Sequence, residues 1–237
     1  MEAPRSIPEE LYKDFTLNGQ MSVGECYIDD SLSNKGKIYT SELIQFELDR
    51  VSRVLAGEES FSTLSWLIEA FKKYPILDED TLVIGSQSPL YEACCLKFGG
   101  YPIIVEFEQI ICEDPLIRGI TVKNFEKSNQ HYTRAISIST HEHTGLGRYG
   151  DELDPYGDIK AISKLREKIT PGGLLYLSVP RGHDRLIWNA HRIYGPKRFP
   201  LLIEGWDWID SFGYDPEGKL PNEDEWYQPI FVLRNPE

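Results

Sequence analysis

From Thr81 onward the chain alternates short apolar runs with helical segments, and this alternation restricts its fold more than any other feature. "TLVIG" stops at Gly85, "PIIVEFE" runs into acid after Glu106, and "AISIS" runs into a histidine-rich loop. "GITVKNF" reads as a further short strand, "LLYLSVP" as another ending at Pro180, and "YQPIFVLRN" as the last. Between them, Ser88 and Pro89 read as an N-cap and first helical residue leading into "LYEACCLKFGG". "DIKAISKLREKI" carries a second helical pattern and "TPGG" a turn. Strands alternating with helices predict an α/β fold around a mainly parallel sheet. Such sheets bind ligands beyond the carboxyl ends of their strands, near the point where strand order reverses. Gly85, Glu106, the 139–151 loop and Pro180 all fall at predicted carboxyl ends.

Ahead of this pattern, Leu43, Ile44, Leu48, Val51 and Leu55 recur at helical steps, and Phe61, Leu64, Leu67, Ile68 and Phe71 repeat them. Residues before about Lys37 are turn-rich and read as an irregular arm. The expected organisation is an arm and helices over 1–77, packed on a core domain over 78–237. At 41% hydrophobic residues, 237 residues can bury one sizeable core. A net charge of -13 repels phosphate backbones and anionic membranes, so no nucleic-acid or membrane partner is expected. "GPKRF" is the best local basic patch. Cys26, Cys94, Cys95 and Cys112 form no C-x-x-C pair and read as reduced thiols. No apolar run approaches the roughly 18 residues of a membrane helix, and "MEAPRSIPEE" lacks the apolar stretch of a signal peptide. A cytoplasmic location is the expectation if the chain is full length.

The chemistry concentrates in two stretches. "STHEHTGLGRYGD" places His141, Glu142 and His143 at a strand end. Were the strand to continue, both histidines would share one face, and with Asp151 or Asp154 they could hold a metal. They could instead touch a cofactor edge or substrate, or act as a base, because imidazole titrates near neutrality. Arg148 reads either as an anion clamp, beside Tyr149, or as the partner of Asp151. The second stretch, "VPRGHDRLIWNAHRIYGPKR", carries His183, Trp188, Asn189, His191, Arg192 and Tyr194. At helical spacing Trp188, His191 and Arg192 would share a face. Trp and Tyr offer flat apolar surfaces with a polar edge, which suits sugars and other polar rings.

The order of these elements resembles the class I S-adenosylmethionine-dependent methyltransferases over roughly residues 78 to 237. "LVIGSQSP" stands in the place of the glycine-rich first motif and "IIVEFE" in that of the second strand. "AISISTHEH" resembles the fourth-strand motif, with Glu142 and His143 as its Glu-His pair. "KLREKITPGGLLYLSVP" resembles the leader into the fifth strand. With "HTGLGRYGD" and "WNAHRIYGPKR", the string is similar to a methyltransferase-like family of unassigned function. The resemblance implies a three-layer Rossmann-like sandwich, its sheet mainly parallel with a C-terminal antiparallel strand. It implies S-adenosylmethionine as cofactor, with Gly85, Ser86, Gln87, Glu106, Glu142 and His143 around it and Glu106 on the ribose hydroxyls. Phe125 is a candidate for stacking on adenine, though a core position is the stronger reading.

The expected activity is O-methyl transfer to a small or carbohydrate-like hydroxyl. His143, His183 and His191 are the candidate bases. His141, Arg148, Tyr149, Trp188, Asn189, Arg192 and Tyr194 are the candidate acceptor contacts. The loop departs from the family pattern, because Gln87 and Ser88 stand where small residues are common and Pro89 follows at once. Two alternatives therefore stay open: a non-catalytic binding or regulatory protein on the same scaffold, and a metal-dependent enzyme built on His141 and His143.

Overall fold

The computed structural model describes residues 3–30 and 36–236. The N-terminal part holds α1 (Glu9–Phe15), β1 (Ser22–Cys26), β2 (Ile38–Tyr39), α2 (Ser41–Ala56) and α3 (Ser62–Lys73). Helix α2 starts where Thr40 accepts the Leu43 N–H and stops at Gly57, which takes the left-handed conformation (φ 75°). The alternating pattern then unfolds as β3 (Asp80–Ile84), α4 (Leu90–Lys97), β4 (Tyr101–Glu106), β5 (Ile111–Cys112), β6 (Arg118–Thr121) and α5 (Val122–Lys127). It continues through β7 (Tyr132–Ile138), a 3₁₀ turn (His141–His143), α6 (Gly157–Glu167) and β8 (Ile169–Ser178). The chain ends with β9 (Arg185–Asn189), β10 (His191–Ile193), α7 (Arg198–Leu202), β11 (Asp207–Phe212) and β12 (Ile230–Arg234).

The main sheet has seven strands in the order β11-β12-β8-β7-β3-β4-β6. β6, β4, β3, β7 and β8 pair in parallel, and β12 runs antiparallel to both β8 and β11. Period-two alternation sends neighbouring side chains to opposite faces. Val83, Ile136, Tyr176 and Val232 pack with α2, α3 and α4, while Leu82, Ala135, Leu175 and Leu233 pack with α5, α6 and α7. The result is three layers, helix on sheet on helix. Full burial of each Val, Leu or Ile among them stabilises by about 2 kcal/mol. Strand order reverses at β3, which pairs with β4 on one side and β7 on the other. The crevice beyond their carboxyl ends is where Gly85, Glu106 and the histidine turn meet.

Three expectations are corrected. "GITVKNF" is not one strand: Thr121 caps a new helix by accepting the Asn124 N–H at 3.3 Å, and Phe125 is buried in the core. The arm is not irregular: β1 pairs in parallel with β9, and β10 adds antiparallel to make a separate three-stranded sheet. The segment bearing Trp188, His191 and Arg192 is therefore a hairpin and not a helix. Leu186 and Trp188 are buried while Arg185 and Ile187 are less so, the alternation of a half-buried strand. Among the described residues, no helix is long and apolar enough to cross a membrane.

Candidate active site

Strand β3 ends at a backbone crossing. Gly85 has φ 72°, and a Cβ there would lie 2.6 Å from the Thr140 side chain, so only glycine lets the two loops approach this closely. Thr140 Oγ1 donates to the Ile84 carbonyl at 2.8 Å, tying the β7 loop to the β3 loop. The next residue, Ser86, is buried, and its N–H donates to Glu106 Oε1 at 2.7 Å. Phe107 N–H donates to Glu106 Oε2 at 3.1 Å. These two bonds orient the Glu106 carboxylate at the end of β4 and still leave it lone pairs for hydroxyl donors. The Ser86 carbonyl accepts from Tyr39 Oη at 2.9 Å and Lys37 Nζ at 3.2 Å. Gln87 is exposed and its amide donates to Tyr149 Oη at 3.3 Å, linking the loop after β3 to the 139–151 loop.

The histidine turn departs from a strand. Ser139 takes a left-handed conformation (φ 53°) and the chain then coils into the 3₁₀ turn. Successive side chains there fan around the axis, so His141 and His143 do not share a face. His141 goes inward: it is 4% exposed, neither ring nitrogen has a partner, and burial pushes its pKa down to about 4.

His143 faces the crevice. Its Nδ1 lies 2.6 Å from the Ala190 carbonyl. A carbonyl only accepts, so Nδ1 carries the proton and the neutral ring keeps its lone pair on Nε2. Burial, reinforced by Arg148 and His191, lowers the His143 pKa to about 4 against the pull of Ala190.

Around His143 stand the Tyr149 ring (centroids 5.8 Å apart) and the His191 ring (6.3 Å), and Trp226 stands 5.6 Å from His191. Glu142 is buried, with Oε1 3.9 Å from His143 Nε2 and accepting from Gln228 Nε2 at 3.2 Å; its Oε2 has no partner. Burial raises the Glu142 pKa to about 8 in spite of Arg148 and Arg192. Burial also lowers His191. At neutral pH the crevice is polar but carries no charge on His143, His191 or Glu142. Arg148 is neutralised by Asp30, its Nε donating to Oδ2 at 2.8 Å.

Several expected site residues lie elsewhere. Trp188 is buried against Phe15 and donates to the Pro4 carbonyl at 3.1 Å, so it belongs to the arm's core. Asn189 is fully buried, its side-chain carbonyl accepting the Ile28 N–H at 2.8 Å. Arg192 is fully buried and donates to the Thr144 carbonyl at 2.6 Å, holding the end of the histidine turn. Tyr194 is fully buried and donates to Asp158 at 2.8 Å. His141 is likewise interior. None of these five side chains offers a surface to an acceptor. His183 is exposed and lines a separate cavity of about 450 Å³ with Asp184, Arg185 and Lys197, away from His143. Arg148 pairs with Asp30, not Asp151; Asp151 instead accepts the Gly145 N–H at 2.6 Å.

Among the described residues, no group of three His, Cys, Asp or Glu is arranged to hold a metal. Sequence reasoning missed Trp226 and Gln228, whose only signal was their place just before the last strand. It also missed Lys37 and Tyr39, which reach the site through long-range pairing.

Comparison with known proteins places this geometry. The family model described as "Caenorhabditis protein of unknown function, DUF268" matches residues 78–225. No protein of curated function matches. Among solved structures, the N-methyltransferase NodS from Bradyrhizobium japonicum WM9 is similar with a TM-score of 0.50 at 13% identity, over 81% of this chain and 98% of that one. A candidate sarcosine dimethylglycine methyltransferase from Galdieria sulphuraria has a TM-score of 0.50 at 11% identity, over 80% of this chain and 98% of that one. A candidate methyltransferase from Haloferax volcanii, solved with the Trm112 methyltransferase activator, has a TM-score of 0.50 at 9% identity, covering 83% and 97%. At these identities the likeness shows the fold alone: a Rossmann-like α/β sandwich with a mainly parallel sheet and a C-terminal antiparallel strand pair.

Proposed function

The chain belongs to the DUF268 family, and we propose that it is an S-adenosylmethionine-dependent methyltransferase acting on a hydroxyl of an uncharged, carbohydrate-like acceptor. One observation carries this reading. At the switch point of a methyltransferase sheet, an oriented carboxylate (Glu106) lies beside a close-approach glycine (Gly85), and the neighbouring β7 loop presents a histidine whose tautomer is fixed.

The residues fit the cofactor. Gly85 lets the β3 and β7 loops close on each other at the base of the crevice, and Glu106 supplies acceptors for a pair of ribose hydroxyls. Gln87, the bulkiest of the polar loop residues, is exposed and bonded to Tyr149. When bound, the cofactor supplies an electrophilic methyl carbon on a sulfonium.

The rest of the chemistry falls to the chain. Tyr149, His191 and Trp226 offer edges and faces for a polar ring. Gln228 and Glu142 offer hydrogen bonds, and Glu142, held protonated at neutral pH, can donate as well as accept. His143 Nε2 takes the hydroxyl proton while Ala190 holds the imidazolium through Nδ1–H. A base with so low a pKa suffices, because a hydroxyl becomes strongly acidic as its oxygen bonds to the incoming methyl. Positioning does most of the work in such an in-line displacement. A metal-dependent reading has no support in a three-ligand group among the described residues, and His141 packs inside while His143 faces the crevice.

The testing experiment is calorimetric titration with S-adenosylmethionine and S-adenosylhomocysteine. The expected result is saturable binding that Glu106→Ala weakens by at least tenfold, followed by radiolabelled methyl transfer to a panel of free sugars and glycosides. Absence of binding to folded protein would overturn the transferase reading in favour of a non-catalytic scaffold.

A further inference from the structure

A glycine-rich loop keeps its shape by backbone freedom, but this loop, "GSQSP", has one glycine followed by four residues with side chains. Pro89, which precedes α4, caps that helix with no side-chain bond. Inside the loop the Ser86 hydroxyl donates to the Ser88 carbonyl at 3.3 Å, and the remaining contacts come from outside it. Ser86 is gripped through both peptide units that flank its Cα: the N–H of the first by Glu106, the carbonyl of the second by Tyr39 and Lys37. The Tyr39 hydroxyl also lies 2.8 Å from Ser86 Oγ. Tyr39 is 2% exposed, and its ring packs among Ile44, Ile104, Ile110 and Ile117. Its place is fixed by β2, which pairs in parallel with β5, Tyr39 opposite Cys112.

We propose that Tyr39 is a positioning residue for the cofactor, acting through Ser86. By holding the Ser86 carbonyl it fixes the Ser86–Gln87 peptide, which limits rotation about the Ser86 Cα and so steadies the preceding peptide, whose N–H is on Glu106. That bond in turn aims Glu106 at its ligand. Lys37 donates to the same carbonyl from the rim and takes part in no ion pair among the described residues. Tyr39 thus does for this loop what extra glycines do by backbone geometry elsewhere. The role rests on the cofactor reading above.

Tyr39→Phe separates the hydroxyl from the packing, because the ring stays in its apolar cluster. Two readouts are needed. Amide hydrogen exchange in the ligand-free protein should show Ser86 and Gln87 exchanging about tenfold faster in the variant, the loss expected for one buried hydrogen bond. Calorimetry with S-adenosylhomocysteine should show about tenfold weaker binding, with the thermal midpoint changed by only a few degrees. Unchanged exchange would overturn the claim that Tyr39 orders the loop. Faster exchange with unchanged affinity would overturn the positioning role and leave the transferase reading intact. A wild-type protein that binds neither cofactor form would remove that reading and the positioning role together, and the exchange experiment would still report whether Tyr39 holds Ser86. A Ser86→Ala control removes the Oγ contacts, to Tyr39 and to the Ser88 carbonyl, keeps the carbonyl bond and should leave most of the affinity in place; a loss equal to that of Tyr39→Phe would refute action through the carbonyl.

Discussion

Glu92→Gln should stabilise this protein above neutral pH and leave it nearly unchanged in acid. Glu92 sits in the first turn of α4, is 0% exposed, and neither carboxyl oxygen has a hydrogen-bond partner. Burial raises its pKa from 4.5 to about 7, Glu106 and Glu47 add to the rise, and the proximity of Ser86 opposes it. In the unfolded chain the same group ionises near 4.5. The stability it contributes is therefore full below pH 4.5 and is lost as the pH rises through about 7. A tenfold change in proton affinity is about 1.4 kcal/mol, so the full loss is about 3 kcal/mol. The group is wholly buried, so solvent does not screen this away. Glutamine has the shape of the protonated acid and does not titrate. Urea unfolding from pH 4.5 to 8, with midpoints compared at a common slope, should show wild type and variant together in acid. They should diverge by about 3 kcal/mol at pH 8, the variant being the more stable. A gap that does not change with pH, or a variant weaker at pH 8, would refute the assignment of a buried, protonated Glu92.

Two further predictions test other parts of the site. Asp158 accepts from Arg198 at 2.6 Å and from Tyr194 at 2.8 Å, with Arg192 at 3.8 Å, all at 0% side-chain exposure where the pairs are ionic. Asp158→Ala strands two buried guanidiniums and should cost about 3–5 kcal/mol in urea unfolding. Arg198→Met in the same chain should recover part of that; strictly additive losses would refute the buried-network account. His143 should stay neutral with its proton on Nδ1 until the pH falls to about 4, read by NMR of the imidazole, and a midpoint near 6.5 would refute its burial. Its pKa is lowered, so the neutral base exists above about 4, and methyl transfer should be lost only as the pH falls through that value.

The parallel sheet was legible because its strands are buried on both faces and read as unbroken apolar runs between glycines, prolines and acids. "TLVIG", "PIIVE" and "LLYLS" show this in β3, β4 and β8. Glu106 and Gly85 were legible for the same reason, since each ends such a run. The errors have local causes. Trp188, His191 and Arg192 satisfy a helical spacing, yet Leu186 and Trp188 satisfy a strand spacing equally well. The competing signal won because β1 and β10 supply hydrogen-bond partners on both sides of β9. A helix there would have left β1 unpaired, and β1 is remote in sequence. The faces of the two histidines were left conditional for a different reason: nothing in "AISISTHEH" announces that Ser139 leaves the extended region. Beyond that left-handed residue the chain coils into a 3₁₀ turn, in which His141 packs inside and His143 reaches the crevice.

The same distance effect explains why the candidate site was half-read. Gly85 and Glu106 sit at strand ends that the apolar pattern marks, and His143 lies in the turn just beyond one. Residues that complete the crevice come from segments placed by pairing across the chain: Tyr39 by β5, Ala190 by the β9–β10 hairpin, Trp226 and Gln228 by the approach to β12. Their side chains carry no motif, and the Ala190 group that matters is a backbone carbonyl. That carbonyl gives the most specific chemistry in the site. Without it, either nitrogen of His143 could hold the proton; with it, Nε2 alone is left as acceptor. A sequence names the histidine, but only the fold decides which of its nitrogens is basic, and that choice depends on where a hairpin 47 residues downstream turns.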